Sequence, residues 1–141
     1  MRAYLAATVA LNLVWEEAQM PHYTIWNEGT AGSRAFAVLH CTAGDVLIAL
    51  TVLAGALILV GNTAWPTRRA GRVTAVTVAA GLAYTVFSEW LNVEVRRSWA
   101  YSDLMPTLPP FGTGLSPLLQ WLVVPGAVLC LASWVGRSRT E

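Results

Sequence analysis

Four long stretches of this sequence contain no charged side chain, and they limit the fold more than any other feature. They cover residues 3–15, 46–67, 73–88 and 104–136. An α-helix needs about 20 mostly apolar residues to cross the hydrocarbon core of a bilayer. With their flanking residues, the stretches predict four transmembrane helices within a single domain, 1–141. The predicted helices cover about 3–21, 39–62, 71–93 and 115–136.

The composition supports a membrane protein and excludes two other classes of protein. Of the 141 residues, 55% are hydrophobic and 12% are charged, and the mean hydropathy is +0.51. A soluble domain carries about 25% charged residues, and a disordered chain lacks this much apolar surface. We therefore predict an all-α polytopic membrane protein, a four-transmembrane-helix bundle with two long outer loops at 22–38 and 94–114.

The distribution of arginine predicts the orientation in the membrane. Six of the nine basic residues lie near a terminus or between the second and third helices, namely Arg2, Arg68, Arg69, Arg72, Arg137 and Arg139. Because basic residues concentrate on the cytoplasmic side, both termini are predicted to be cytoplasmic. A bacterial inner (plasma) membrane is the expected location. The net charge of +1, without a broad basic patch, predicts no nucleic-acid partner.

Polar side chains inside the predicted helices gather at one depth. In the first helix Asn12, Glu16 and Gln19 share a face, because their spacing follows the helical repeat. The other three helices bring further polar residues to the same outer level, namely Asp45, Glu89, Asn92 and Gln120. Ionisable groups within a membrane are costly unless they are paired or face a cavity. We therefore expect one polar pocket near the outer ends of the helices.

Two or three carboxyls in such a pocket favour general acid–base chemistry. They cannot all ionise in a low dielectric, so one should hold a proton near neutral pH. The candidate catalytic residues are Glu16, Asp45 and Glu89. Aromatic rings could stabilise a cation, and amides could bond two carboxyls at once. The candidate substrate-binding residues are Asn12, Trp15, Gln19, Asn92, Trp99, Tyr101 and Gln120. No cofactor and no metal are predicted.

Two short patterns resemble families that act on isoprenoids. Residues Asn12-Leu13-Val14-Trp15-Glu16, followed by Pro21, resemble the Trp-Glu helix motif of the membrane-bound terpene cyclases of meroterpenoid pathways. A second pattern consists of Ser88-Glu89, Trp99-Ala100-Tyr101 and Pro117-Leu118-Leu119-Gln120-Trp121. It is similar to integral-membrane carotenoid hydratases and heterodimer-type lycopene cyclases, although Gln120 stands where the lycopene cyclase motif has an acid. These resemblances imply protonation of isoprenoid alkenes or epoxides, with Glu16 and Glu89 as the acid–base pair.

A third resemblance and two other functional classes stay open. Glu16 and Gln19, followed by Asp45, resemble the VanZ-like family, which implies chemistry on lipid headgroups. A small transporter of protons or metal ions is the first alternative. The candidate ligands for a soft metal ion on the outer side are Met20, His22, His40, Cys41 and Met105. The second is a non-catalytic subunit of a membrane complex, which predicts that the polar cluster pairs internally and leaves no cavity.

Our main prediction is therefore a membrane-embedded enzyme. It would cyclise, hydrate or isomerise an isoprenoid or another lipid-like substrate by acid–base catalysis. The expected partners are this hydrophobic small molecule and the membrane lipid, and the sequence leaves a homo-oligomer open.

Overall fold

The computed structural model describes residues 2–60, 65 and 68–138. The five α-helices are α1 (Arg2–Gln19), α2 (Ile25–Glu28), α3 (Ala31–Val60), α4 (Ala70–Glu89) and α5 (Leu115–Ser138). A 3₁₀ turn, Met20–His22, follows α1, and a π-helical turn, Trp90–Val95, continues α4. Two short antiparallel strands, β1 (Thr107–Leu108) and β2 (Thr113–Gly114), precede α5.

The four long helices pack side by side. Helix α1 contacts α3 and α5, and α4 contacts the same two helices, so the order around the bundle is α1, α3, α4, α5. At one end the core is apolar and contains Leu53, Val73, Val128 and Leu129, all almost fully buried. The other end carries the 3₁₀ turn, α2 and segment 96–114, and we call it the loop end.

Three of these helices are long and apolar enough to cross a membrane: Ala31–Val60, Ala70–Val95 and Leu115–Ala132. Large apolar side chains also point outward, and Ile58 and Leu59 are 79% and 80% exposed. The prediction of a helical membrane protein is supported at this level. Helix α1, whose 18 residues include three charged ones, is not among the three candidate spans found in the described residues.

One predicted boundary is wrong, because α3 begins at Ala31 rather than near 39. Thr30 explains the earlier start. Its Oγ1 accepts a hydrogen bond from the backbone N–H of Ser33 at 3.1 Å, as an N-cap residue does. Helix α2 and the first turns of α3 therefore occupy much of the predicted loop 22–38. The predicted end of this helix at 62 lies outside the described residues.

The third predicted helix, 71–93, has the expected position but an unexpected final turn. Helix α4 ends at Glu89, and the next six residues adopt π-helical geometry. A π turn changes the angular register of the residues that follow it. Asn92 therefore does not continue the face of Glu89 as an ideal α-helix would predict.

Helices α4 and α5 pack tightly at Gly81. This residue is buried, and a Cβ built on it would overlap the ring of Trp121. Only glycine leaves room for that ring against the α4 backbone. The packing of Trp121 against Gly81 therefore constrains the position of α5 on α4.

Candidate functional site

Three polar side chains of α1 point into the bundle at the loop end. Asn12, Glu16 and Gln19 are 5%, 6% and 4% exposed, respectively, because spacings of three and four residues return to the same helix face. The Gln19 Nε2 donates a hydrogen bond to Glu16 Oε1 at 2.8 Å. The neighbouring Glu17 is exposed, as expected for the opposite face.

Gln120 of α5 joins three helices through one amide. Its Nε2 lies 3.0 Å from Asn12 Oδ1, 2.9 Å from Glu16 Oε1 and 2.7 Å from Asp45 Oδ2. A side-chain amide nitrogen has two hydrogens, so the three acceptor oxygens compete for these two hydrogens. Helices α1, α3 and α5 are thereby linked at one point inside the bundle.

The carboxyls of Asp45 and Glu16 also contact each other. Two carboxylates cannot donate to one another, so a hydrogen bond between them requires a proton on one member. The other hydrogen bonds described for this pair come from amides. The amides of Gln19 and Gln120 thus bind both carboxyls of this pair.

Glu89 of α4 is bound in a different way. It is 7% exposed, and its Oε2 accepts a hydrogen bond from the hydroxyl of Tyr101. The same phenol oxygen accepts the backbone N–H of Gly114 at 3.0 Å. Burial raises the pKa of Tyr101, and the nearby charge of Glu89 raises it further. The phenol therefore remains a donor to Glu89 at any physiological pH.

Segment 99–102 closes the loop end beside Glu89. It is held to the turn after α1 by two backbone hydrogen bonds, from Thr24 N to Ala100 O at 3.0 Å and from Ser102 N to His22 O at 2.9 Å. The rings of Tyr23 and Tyr101 lie 5.6 Å apart. Burial raises the pKa of Tyr23, and the charge of Glu89 adds to this effect.

The three predicted catalytic carboxyls lie in one layer of the bundle. Each of the three lies close enough to the other two to interact electrostatically. Each comes from a different helix, so the layer exists only in the folded bundle. We call these three residues the carboxyl cluster.

The predicted binding residues have different surroundings. The amide of Asn92 donates to the backbone oxygen of Ser88 at 2.9 Å and to its Oγ at 3.3 Å, and within the described residues no hydrogen bond joins it to the carboxyl cluster. The indole N–H of Trp99 lies near Glu89 but is buried without a hydrogen-bond partner among the described residues. Trp15 packs against the apolar core and lines a groove on the outside of the cluster.

Sequence reasoning missed two residues near the cluster, Tyr23 and Ser116, and considered Cys41 only as a possible metal ligand. Ser116 donates a hydrogen bond from Oγ to Gln19 Oε1 at 2.8 Å. Its position four residues before Gln120 places both on one face of α5, and this spacing could have revealed it. Tyr23 and Cys41 interact electrostatically with the cluster, but no local spacing pointed to either.

The groove outside the cluster lies between α1 and α5 at the loop end and has a volume of about 320 Å³. Its lining includes Trp15, Gln19, His22, Ser116 and Leu119. A second, larger groove of about 570 Å³ lies between α4 and α5 and is lined mainly by small apolar residues. Only the first groove contains a member of the hydrogen-bond network around Glu16.

The proposed metal ligands do not come together within the described residues. There, no three side chains of His, Cys, Asp or Glu form a group that could hold a metal ion. His40 is exposed and stacks on Phe36 at 5.5 Å, whereas Met105 is buried below Gly114. Comparison with known protein families, with curated proteins and with solved structures finds no match to this chain.

Proposed function

We propose that the chain crosses the membrane four times, with α1 as the first span. Helix α1 packs between α3 and α5, and its outward residues Val9 and Val14 are 40% and 67% exposed, which suits contact with lipid. The arginine distribution favours cytoplasmic termini and a bacterial inner membrane. The carboxyl cluster would then lie in the outer leaflet.

The function that the geometry supports best is acid–base catalysis on an isoprenoid or another lipid-like substrate. One observation carries this proposal: three helices bring two buried carboxyls, Glu16 and Glu89, and the half-buried Asp45 into one layer, where amides and a phenol bind them. Ionisable groups within a membrane lower the stability of the fold, so a structural role alone does not account well for three of them.

The proposed reaction needs one protonated and one ionised carboxyl. The protonated carboxyl transfers its O–H proton to a carbon of a C=C bond, which leaves a carbocation on the substrate. A carboxylate then removes a proton from an adjacent carbon, or water adds and loses a proton. The rings of Trp99 and Tyr101 lie beside Glu89 and could stabilise the cation by cation–π interaction. These steps require no cofactor.

Deuterium incorporation tests this proposal on a panel of candidate substrates. The full chain in phosphatidylcholine vesicles would be incubated in D₂O with isoprenoid alkenes of different chain length. Protonation at an alkene carbon forms a C–D bond, and mass spectrometry detects each one that remains in the substrate or the product. We expect incorporation with the wild-type chain, and a loss of about 100-fold or more in Glu16→Gln or Glu89→Gln.

Glu17→Gln is the matched control, because Glu17 adjoins Glu16 but is exposed. It should retain wild-type incorporation. If Glu16→Gln and Glu89→Gln both fold and retain full incorporation, acid catalysis by these residues is wrong.

A second candidate function is a non-catalytic subunit of a membrane complex. It is favoured by the internal pairing of Gln120 with Asn12, Glu16 and Asp45, which a purely structural cluster would also show. In that case no member of the panel gains deuterium, and the substitutions at 16 and 89 change only stability.

A further inference from the structure

The groove between α1 and α5 has the composition of an amphiphile site. Trp15 and Leu119 provide apolar walls, and Leu119 is 40% exposed on the outward face of α5. A volume of about 320 Å³ lies at the small end of the range for small-molecule sites, about 300–1,000 Å³. An apolar chain could therefore enter the groove between α1 and α5 from the lipid side.

The polar part of the groove consists of Gln19, His22 and Ser116. The ring Nδ1 of His22 lies 3.2 Å from the backbone oxygen of Gln19. A carbonyl oxygen only accepts, so this contact requires a hydrogen on Nδ1, and Nε2 is an acceptor whenever the ring is neutral. Gln19 is 4% exposed and holds the Ser116 hydroxyl at 2.8 Å. These groups suit a ligand that donates or accepts one neutral hydrogen bond.

The charge of the groove argues against an anionic headgroup. Among the described residues that line the groove there is no arginine, and the carboxyl of Glu16 lies directly behind Gln19, at 2.8 Å from its Nε2. Phosphate recognition in proteins uses Arg or Lys, or a helix N-terminus, to balance the charge. The first residues of α5 do line the groove, but the Leu115 N–H already bonds to the backbone oxygen of Pro106 at 2.8 Å, and Pro117 has no N–H. A phosphorylated lipid would instead face the field of a nearby carboxyl.

We propose that this groove binds an uncharged amphiphile with a hydroxyl or carbonyl head. The head bonds to His22 and Ser116, and the chain lies along Trp15 and Leu119. The inference rests on the proposed function, to which it adds the substrate class: a neutral lipid rather than a phosphorylated one. Gln19 connects the two places, because it contacts Ser116 in the groove and Glu16 in the cluster.

Photo-crosslinking tests the groove by a readout that is independent of catalysis. The full chain in phosphatidylcholine nanodiscs would be exposed to a diazirine-bearing farnesol analogue and, separately, to its phosphate ester. We expect the alcohol to label peptides covering 15–22 and 115–119, and unlabelled farnesol to compete. The phosphate ester should label these peptides about tenfold less, which corresponds to about 1.4 kcal/mol.

Two variants on the same helix separate groove binding from general partition into lipid. Leu119→Trp fills the proposed groove and should lower its labelling about fivefold or more, the loss expected when a binding pocket is filled. Leu122→Trp is the control, because Leu122 lines the groove between α4 and α5. It should leave the labelling unchanged. If Leu119→Trp does not fold, Ala18→Phe fills the same groove from α1.

Equal labelling by the alcohol and by its phosphate ester would contradict the proposal that the ligand is uncharged. Unchanged labelling in a folded variant with a filled groove would contradict the proposal that the ligand binds in this groove. Labelling confined to these peptides, in a wild-type chain that incorporates no deuterium, supports the groove and rejects acid–base catalysis. Deuterium incorporation without groove labelling supports catalysis and rejects the groove.

Discussion

The Glu16–Asp45 pair and Glu89 lie in the same layer of the bundle, but different parts of the chain hold them. The pair is bound by amides of α1 and α5, and therefore by helix packing. Glu89 is bound by Tyr101, which belongs to segment 96–114. The position of Glu16 and Asp45 therefore depends only on the bundle, whereas that of Glu89 also depends on how segment 96–114 packs against it.

The two carboxyl sites also differ in the chemical groups that bind them. The Glu16–Asp45 pair is bound by side-chain amides, which can donate to one carboxyl and accept from another. Glu89 is instead bound by a phenol hydroxyl.

The largest expected effect comes from Gln120→Leu, which keeps the side-chain size but removes the amide. Glu16, which is buried, and Asp45, which is half-buried, lose a shared donor, so we expect the free energy of unfolding to fall by about 3 kcal/mol. Unfolding by denaturant in detergent micelles measures this change. Adding Glu16→Leu and Asp45→Leu should recover part of the loss, because Asn12 Oδ1 is then the one acceptor of that amide in the described residues that still lacks it. A fall no larger than that of an exposed substitution would show that the amide is not structurally important.

A smaller effect is expected from Tyr101→Phe, which removes the hydroxyl that bonds to Glu89 and Gly114. One charge-assisted bond is lost, so the free energy of unfolding should fall by about 1.5–3 kcal/mol. Hydrogen exchange should increase in segment 96–114 but not around Gln120, since that network has no member in the segment. Tyr84→Phe, at an exposed tyrosine of α4, is the control. Increased exchange around Gln120 would mean that the two sites are not independent.

The smallest expected effect is on alkaline stability. Burial raises the pKa of Tyr101 above its ordinary value of 10.0, so the folded chain holds this proton more tightly than the unfolded chain. The contribution to stability is complete below about pH 10 and is lost as the pH rises toward the folded-state pKa. Unfolding at a series of pH values should show this decline, and it should be weaker in Tyr101→Phe. An identical decline in both chains would contradict the assignment to Tyr101.

Much of the helical framework could be predicted from the sequence. The uncharged stretches located all four long helices, and depth and helix face predicted that Glu16, Asp45 and Gln120 would be neighbours. The start of α3 was missed because Arg34 and the polar residues near it resembled an interfacial loop. The signal was nevertheless present, since Thr30 and Ser33 have the spacing of an N-terminal cap.

Other parts of the site could not be predicted from local patterns. The contact of Tyr23 with Tyr101 depends on how two distant segments meet, and the sequence alone does not encode that geometry in any spacing. Asn92 was placed on the face of Glu89 by an α-helical repeat, but the π turn that begins at Trp90 changed this register. Both cases arise where backbone geometry departs from a regular element.

The absence of a side chain at Gly81 determines the rotation of α5 about its own axis. Trp121 rests on the α4 backbone there, and adjacent residues of a helix point about 100° apart. The neighbouring Gln120 is thereby turned toward α1 and α3, where it bonds to Glu16 and Asp45. A methyl group added at Gly81 would rotate or displace α5 and misalign that amide without touching either carboxyl. The alignment of the buried acids is thus decided by an apolar contact on a different helix face.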